Sequence, residues 1–209
     1  MAMEREMKLA AETSFELPEL DGIAGLAAYD RGVRVLDATY WDTDDLALLR
    51  SGHGLRFRTT DGGSGRWTLK AGSHREGDLM VRDELELEGT PEALPAEIRE
   101  RVARVVELDR LRPVATLQTR RHIVDLEADG APWAEVADDA VSVREGEREV
   151  ERFREVEVEL HGDTGGARLE AVLARLRAAG ASGPTSSSKY ARALAAMGHD
   201  IGDATGADL

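Results

Sequence analysis

Residues 153–160 read FREVEVEL, a stretch in which charged and apolar residues alternate. From position 155 onward the odd positions are glutamates, whereas the even positions are Val156, Val158 and Leu160. Successive side chains on a β-strand point to opposite faces, so this stretch predicts a strand with one acidic face and one apolar face. The apolar face needs cover, and the acidic face collects three carboxylates.

Five further stretches, within residues 3–10, 54–60, 66–71, 79–87 and 117–123, show the same alternation. The charged side chains that share a face in the six stretches are Glu4, Glu6, Lys8, Arg56, Arg58, Lys70, Arg82, Glu84, Glu86, Arg120, Glu155, Glu157 and Glu159. A sheet with one face in water explains any single strand of this kind. Six strands that carry almost only Arg, Lys and Glu indicate instead a second, specialised face.

The remaining patterns place helices beside these strands. Apolar residues recur at three- and four-residue spacing in residues 17–29, 91–107 and 166–179, and shorter helices are predicted at 44–51 and 187–197. Additional strands are predicted at 33–43, 132–137 and 140–144, and the glycine-rich residues 61–65 predict a hairpin loop rather than a phosphate cradle. The pattern favours a largely antiparallel barrel of the α+β class with helices outside.

Composition limits the possible functions. A length of 209 residues predicts one domain over residues 1–200, followed by a disordered tail at 201–209. There is no cysteine, no run long enough for a membrane span and no signal segment, so we expect a cytoplasmic protein. The net charge of −14 argues against nucleic acid or an anionic membrane as a partner.

The charged face suggests a chemistry if helices cover the other side of the sheet. It then becomes a concave interior, and burying so many charges is prohibitive unless that interior holds water or counter-ions. Arginine suits the forked recognition of phosphate, and glutamates on adjacent strands can converge on a hard cation. Segregated basic and acidic clusters therefore predict a polyphosphate bound together with a divalent metal, the requirements of phosphoryl transfer.

The ordered motifs resemble the CYTH domains of the triphosphate tunnel metalloenzyme superfamily, and the resemblance extends from Glu4 to Tyr190. It is carried by EREMK at 4–8, YWDT at 40–43, LRFR at 55–58, WTLK at 67–70, RDELE at 82–86, FREVEVE at 153–159 and SKY at 188–190. This resemblance implies an eight-stranded antiparallel tunnel, a Mg²⁺ or Mn²⁺ cofactor and a small-molecule triphosphate or polyphosphate as the partner.

The resemblance also implies residue roles. Metal ligands would be Glu4, Glu6, Glu155 and Glu157; phosphate would be held by Lys8, Arg56, Arg58, Lys70, Arg82, Arg120 and Lys189; Glu84 and Glu86 would line the tunnel. Glu159 ranks lower because it lies one pair beyond the usual two glutamates. Two positions depart from the family pattern: Gln118 replaces a lysine, and Ala137 replaces an aspartate, with Asp138 and Asp139 just beyond it.

The sequence therefore predicts metal-dependent hydrolysis of a triphosphate, with inorganic triphosphate as the expected substrate. Adenylate cyclase or thiamine triphosphatase activity on the same site is an alternative. The replacement at Ala137 also leaves open a module that binds polyphosphate without cleaving it. The oligomeric state and the physiological substrate stay open.

Overall fold

A computed structural model describes residues 2–162, 166–185 and 187–201. The strands are β1 (Ala2–Ala11), β2 (Leu26–Asp42), β3 (Gly54–Thr60), β4 (Gly65–Glu76), β5 (Leu79–Gly89), β6 (Arg112–Ala128), β7 (Ala131–Glu145), β8 (Arg148–Leu160) and β9 (Ser182–Pro184). The helices are α1 (Ala47–Arg50), α2 (Ala96–Val102), α3 (Ala167–Ala178) and α4 (Lys189–Ala196), with 3₁₀ turns at Ile23–Gly25 and Leu108–Arg110.

Strands β1 to β8 form a closed antiparallel barrel in the order β1-β5-β4-β3-β2-β6-β7-β8. Closure depends on β1, which pairs with β5 through its first half and with β8 through its second half. The short β9 adds to β1 beside β5. The predicted eight-stranded antiparallel barrel is confirmed, and closure separates every strand into an inner and an outer face.

Two apolar clusters cover the outer face. Val156 and Val158 of β8 pack with Leu173 of α3, and all three are buried. Leu55, Phe57, Trp67 and Leu69 of β3 and β4 form a second buried cluster with Ile98 and Val102 of α2. These are the apolar faces that the sequence predicted to lie under helices, so the charged faces point inward.

Helix α4 packs into one end of the barrel instead of on its wall. Leu194 contributes to a buried cluster with Val141, Val143 and Phe153, which belong to the inner faces of β7 and β8. Tyr190 stacks on Tyr40 with ring centroids 4.7 Å apart and planes 2° apart. The Tyr190 hydroxyl also donates to Asp42, at 2.8 Å, and Asp42 accepts from the backbone N–H groups of Leu48 and Leu49 in α1.

The helix predicted at residues 17–29 is wrong. Gly22 and Gly25 adopt positive φ values of 77° and 78°, which interrupt a helix, and β2 starts at Leu26 so that it can pair along the whole of β6. Leu20 and Leu26 are buried beside α3, so a spacing that suits a helix also serves an irregular segment. The predicted strands at 132–137 and 140–144 are one strand, β7, and the helix predicted at 91–107 shortens to α2.

The hairpin predicted at residues 61–65 is confirmed, since it joins β3 to β4. Asp61 and Gly62 adopt positive φ values of 51° and 69°, and a Cβ on Gly65 would lie 2.0 Å from the ring of Phe57. No helix among the described residues is long and apolar enough to cross a membrane. Of the predicted tail, residues 202–209 lie outside the described residues.

The packing of α3 on the barrel can be tested by cavity formation. Leu173 is 1% exposed, so Leu173→Ala removes buried contacts and should lower the free energy of unfolding by about 2–5 kcal/mol. Arg177→Ala on the exposed side of the same helix is the control, with an expected change within about 0.5 kcal/mol. Urea denaturation measures both, and equal stability of the two variants would contradict the packing described.

Candidate active site

The barrel encloses a cavity of about 790 Å³ whose wall carries nine acidic and nine basic residues. The predicted residues on this wall are Glu4, Glu6, Lys8, Arg56, Arg58, Lys70, Arg82, Glu84, Glu86, Glu157 and Lys189. Helix α4 brings Lys189 to the wall, and alternation along strands whose other face packs under a helix brings the rest together. Two of the predicted site residues, Arg120 and Glu155, are not on the wall.

The prediction for Arg120 is wrong, because its side chain is exposed on the outer face of β6 while Arg121 lines the cavity. A shift of one residue exchanges the two faces of a strand. The sequence does not show which face of β6 is the inner one, because β6 carries apolar residues on both faces. Leu117 points inward near α4, whereas Val124 points outward towards α3. His122, on the same face as Arg120, contacts Asp30 outside the barrel at 2.9 Å.

Strand β7 contributes an acid that the sequence analysis left outside the site. Glu135, Ala137 and Asp139 share the inner face, and Asp139 is fully buried on the cavity wall. Its neighbour Asp138 points outward and binds Arg154 at 2.6 Å. The sequence analysis ended the strand at residue 137. Because β7 continues through residue 139, Asp139 lies on the same face as Glu135.

Strand β8 places its three glutamates at different depths. Glu155 is opposite Asp139 of β7 and close to α4, whereas Glu159 is opposite Glu135 and lines the cavity. The strand β1 shows the same gradient, because Ala10 is opposite Glu155 and Glu6 is opposite Glu159. Glu159, ranked lower by the sequence, is therefore a wall residue of the central cavity.

Between β1, β4 and β5 most charges are already paired. The Lys70 ammonium contacts Glu4 at 2.8 Å and Glu84 at 3.0 Å. Arg82 contacts both Glu4 and Glu6. Burial would raise the pKa of Glu4, but Lys70 and Arg82 lower it to about 2, so this carboxylate stays ionised.

A second network lies next to α4. Carboxylate oxygens of Asp139, Glu155 and Glu157 lie within 4.8 Å of one another, and all three residues are buried. The Lys189 ammonium contacts all three, at 2.9 Å for Asp139 and 2.8 Å for Glu157. Arg121 binds Asp139 and Glu157 at 2.6 Å each, so these carboxylates are surrounded by cations.

The β3 side of the cavity has an excess of positive charge. Arg58 is 3.3 Å from Glu86, while Arg56 has no carboxylate within 4.0 Å among the described residues. The nearby Arg56 guanidinium, burial and Arg121 together lower the pKa of Arg58 to about 10. The Nε atom of Arg56 is buried and has no hydrogen-bond acceptor in the described part of the chain. This wall is suited to bind an anion.

The β8 side has the opposite imbalance. Within the described residues Glu159 makes no hydrogen bond or ion pair, and Glu135 has only Arg121, 3.8 Å away. Burial and the neighbouring Glu4, Glu135 and Glu157 carboxylates raise the pKa of Glu159 to about 7. This wall is suited to bind a cation.

The excess positive charge on β3 and the excess negative charge on β8 lie on opposite sides of the cavity. In the eight-stranded ring β3 and β8 are separated by four steps in either direction, so they lie on opposite sides of the barrel. An anion on the arginines of β3 and a cation on the glutamates of β8 would therefore meet within the cavity. The available donors to a metal are carboxylate oxygens, which fit a hard divalent cation such as Mg²⁺ or Mn²⁺.

Comparison with known proteins agrees with this architecture. A family model described as the CYTH domain matches residues 2–193. Two uncharacterized proteins of Mycobacterium tuberculosis, MT2285 of strain CDC 1551 and Rv2226 of strain H37Rv, are each 30% identical over 210 residues. The alignments cover 93% of this chain but 40% of each relative, so the chain spans about two fifths of the length of the curated relatives it matches.

Solved structures share the fold. HpAC1 from Hippeastrum, described as an adenylyl cyclase candidate with a dominant triphosphatase activity, superposes with a TM-score of 0.63 at 17% identity, covering 92% of this chain and 95% of that one. An adenylate cyclase candidate from Bacillus halodurans gives 0.61 at 17% identity, with coverages of 92% and 98%. PH1819 from Pyrococcus horikoshii gives 0.55 at 17% identity, with coverages of 92% and 98%.

Adjacent arginines on β6 provide a direct test of the inner face. Arg121→Met leaves Asp139 and Glu157 short of a buried cation, so the free energy of unfolding should fall by about 3–5 kcal/mol. Arg120→Met changes an exposed side chain on the same strand, and its effect should stay within about 0.5 kcal/mol. Chemical denaturation of both proteins gives the comparison, and a larger effect at Arg120 would reverse our assignment of faces.

Proposed function

The chain belongs to the CYTH domain family, and we propose that it hydrolyses a triphosphate, with inorganic triphosphate as substrate and Mg²⁺ or Mn²⁺ as cofactor. The observation that supports this most is the opposition of two incompletely paired walls, Arg56 and Arg58 on β3 against Glu135 and Glu159 on β7 and β8. Each of these two walls carries charge that the described side chains pair only in part. A triphosphate with its divalent cation supplies both missing charges.

The basic residues of the wall would hold the phosphate oxygens. Arg56 and Arg58 offer planar guanidinium forks, which match phosphate oxygens in pairs, whereas Arg121 uses its fork on Asp139. Lys8, Lys70, Arg82 and Lys189 would supply further positive charge around the chain of phosphates. In hydrolysis a water oxygen bonds to the terminal phosphorus while the bond to the bridging oxygen breaks, and inorganic phosphate and pyrophosphate result. The residues contribute by fixing that geometry and stabilising the charge.

The cation would be held by carboxylates of β1 and β8, namely Glu4, Glu6, Glu157 and Glu159. Glu4, Glu6 and Glu157 are retained from the sequence prediction, and Glu159 joins them because it lines the cavity and lacks a cationic partner among the described residues. A bound divalent cation would neutralise phosphate oxygens that face these glutamates. The remaining predicted ligand, Glu155, has different surroundings and is treated in the next section.

Cyclisation of ATP is the second candidate, because two of the similar structures are described as adenylate cyclase candidates. Among the described residues, the Tyr, Trp and Phe side chains on the cavity wall are Tyr40 and Tyr190. Both are buried and they stack on each other, so neither presents a free ring to an adenine base. This favours a substrate that is gripped through its phosphates alone.

Product analysis tests the proposal. The protein is incubated with inorganic triphosphate, ATP, thiamine triphosphate or long polyphosphate, each with Mg²⁺ or Mn²⁺. We expect phosphate and pyrophosphate from inorganic triphosphate. Cyclic AMP as the main product from ATP would establish the cyclase instead, and tight binding of polyphosphate without products would establish a binding module.

The proposed cation site predicts a loss of metal affinity in a neutral variant. Glu4→Gln removes one carboxylate charge while it keeps the side-chain shape, so Mn²⁺ should bind about tenfold more weakly or worse. Glu100→Gln, an exposed change on α2, serves as the control. Isothermal titration with Mn²⁺ measures the affinities, and an unchanged value for Glu4→Gln would place the cation elsewhere.

The basic wall predicts a kinetic effect that is separable from stability. Arg56→Lys and Arg58→Lys keep the positive charge but lose the planar fork, so kcat/KM for inorganic triphosphate should fall on the order of 10²-fold, or about 2.7 kcal/mol. Part of the loss should appear in kcat, because these contacts strengthen as charge develops on the transferred group. Thermal melts of the same variants measure their stability. Arg99→Lys, an exposed change on α2, is the control and should alter neither turnover nor stability. Normal turnover in destabilised variants would mean that the arginines contribute only to the stability of the fold.

A further inference from the structure

The three carboxylates next to α4 share one cation, the Lys189 ammonium. Lys189 is the first residue of α4, and its ammonium lies against Asp139, Glu155 and Glu157 at once. Burial alone would lower the pKa of this ammonium, but the three carboxylates raise it above its ordinary value. The site is therefore filled by a charge that belongs to the chain itself.

The charges in this network balance. Asp139, Glu155 and Glu157 carry three negative charges, and the cations in contact with them are Lys189, Arg121 and Lys8. A divalent cation would meet three positive neighbours unless the Lys189 ammonium left. Moving a buried ammonium away from its partners is costly. Because Glu155 also lies off the cavity wall, the arrangement disfavours it as a metal ligand, although its carboxylate is close enough to those of Asp139 and Glu157 to chelate a metal with them.

Lys189 lies at the start of its helix, so its ammonium needs nearby negative charge to stay there. A cation in the first turn of a helix is repelled by the positive end of the helix dipole. Ser188 caps the helix by accepting a hydrogen bond from the Ala191 N–H, but it adds no negative charge. The opposing attraction has to come from β7 and β8, where Glu155 is 3% exposed and Asp139 fully buried.

Lys189 also lies at a boundary inside the barrel. On one side the next residue, Tyr190, stacks on Tyr40 and donates to Asp42, and the apolar face of α4 fills the barrel end. On the other side Lys189 is part of the cavity wall. Its ammonium therefore lies at the α4 end of the space that would receive the phosphates.

Building on the proposed function, we propose that Glu155 is a positioning residue and not a metal ligand. Together with Asp139 it holds the Lys189 ammonium at the junction of α4 and the cavity, so that this charge faces the bound phosphates. The divalent cation would be held farther from α4, with Glu159 among its ligands. Asp139 and Glu155 would serve the chain's own ammonium, Glu4, Glu6 and Glu159 would serve the metal, and Glu157 would lie between the two sets.

A metal titration separates the two sets. Mn²⁺ alone, without triphosphate, is titrated into the protein and followed by electron paramagnetic resonance. Glu155→Gln should leave the Mn²⁺ dissociation constant within about twofold of wild type, whereas Glu159→Gln should raise it about tenfold or more. An equal rise in both variants would make Glu155 a metal ligand and overturn the proposal.

A double-mutant cycle tests the link between Glu155 and Lys189. Glu155→Gln and Lys189→Met should each lower Tm by about 5–10 °C, and the double variant should be clearly less destabilised than the sum. Glu151→Gln is the matched control, because Glu151 binds Arg192 of the same helix at 2.8 Å but on the partly exposed surface, where the pair contributes little. Additive effects of Glu155→Gln and Lys189→Met would contradict the proposed contact.

Turnover distinguishes positioning from general stabilisation. At saturating Mn²⁺ and inorganic triphosphate, Glu155→Gln should lower kcat about tenfold, because Lys189 loses its fixed place beside the phosphates. Leu173→Ala, destabilised through α3, should keep a normal kcat at a temperature where both proteins are folded. If Glu155→Gln also keeps a normal kcat, Glu155 is only structural.

Should the wild type neither bind Mn²⁺ nor cleave triphosphate, the proposed function fails. The double-mutant cycle still decides whether Glu155 holds Lys189.

Discussion

The closure of the barrel is the constraint on which the rest of this structure depends. Because β1 pairs with both β5 and β8, the eight strands β1 to β8 close into a ring, and one face of each must enclose a common space. Side chains that alternate along open strands would be solvated, but here they confront one another across the cavity. Nine acids and nine bases on one wall can coexist only if their charges are matched or completed by a ligand.

Among the described residues, each carboxylate near α4 contacts a cation, whereas the pairing of charges in the middle of the cavity is incomplete. Lys189 and Arg121 saturate the carboxylates at the α4 end, and Lys70 and Arg82 do so along β1. Within the described residues Arg56 and Glu159 make no ion pair, and Arg58 has only Glu86, 3.3 Å away. Structural ion pairs fix the walls, and the uncompensated groups on opposite strands form the candidate site between them.

The sequence predicted the fold and most of the wall where one face of a strand packs under a helix. Arg56, Arg58, Glu84 and Glu157 were found in this way, because their neighbours of opposite parity had to be buried. The method failed on β6, where Leu117 and Val124 are buried on opposite faces, and Arg120 was chosen instead of Arg121. It failed at residues 17–29 because pairing with β6 prevailed over a helical spacing. The inner face of β6 and the start of β2 both depend on strand partners that are distant in the chain, so local sequence patterns did not predict them.

The net charge of −14 is compatible with an anionic substrate because the interior has its own balance. A triphosphate entering alone would add several negative charges to a space that is close to neutral and partly shielded from water, which is unfavourable. A divalent cation at the β8 wall offsets much of that charge, and the β3 wall binds the remainder. The cavity therefore favours anion and cation together over either one alone, so that under the proposed function their affinities are coupled: each ligand should bind more tightly when the other is present.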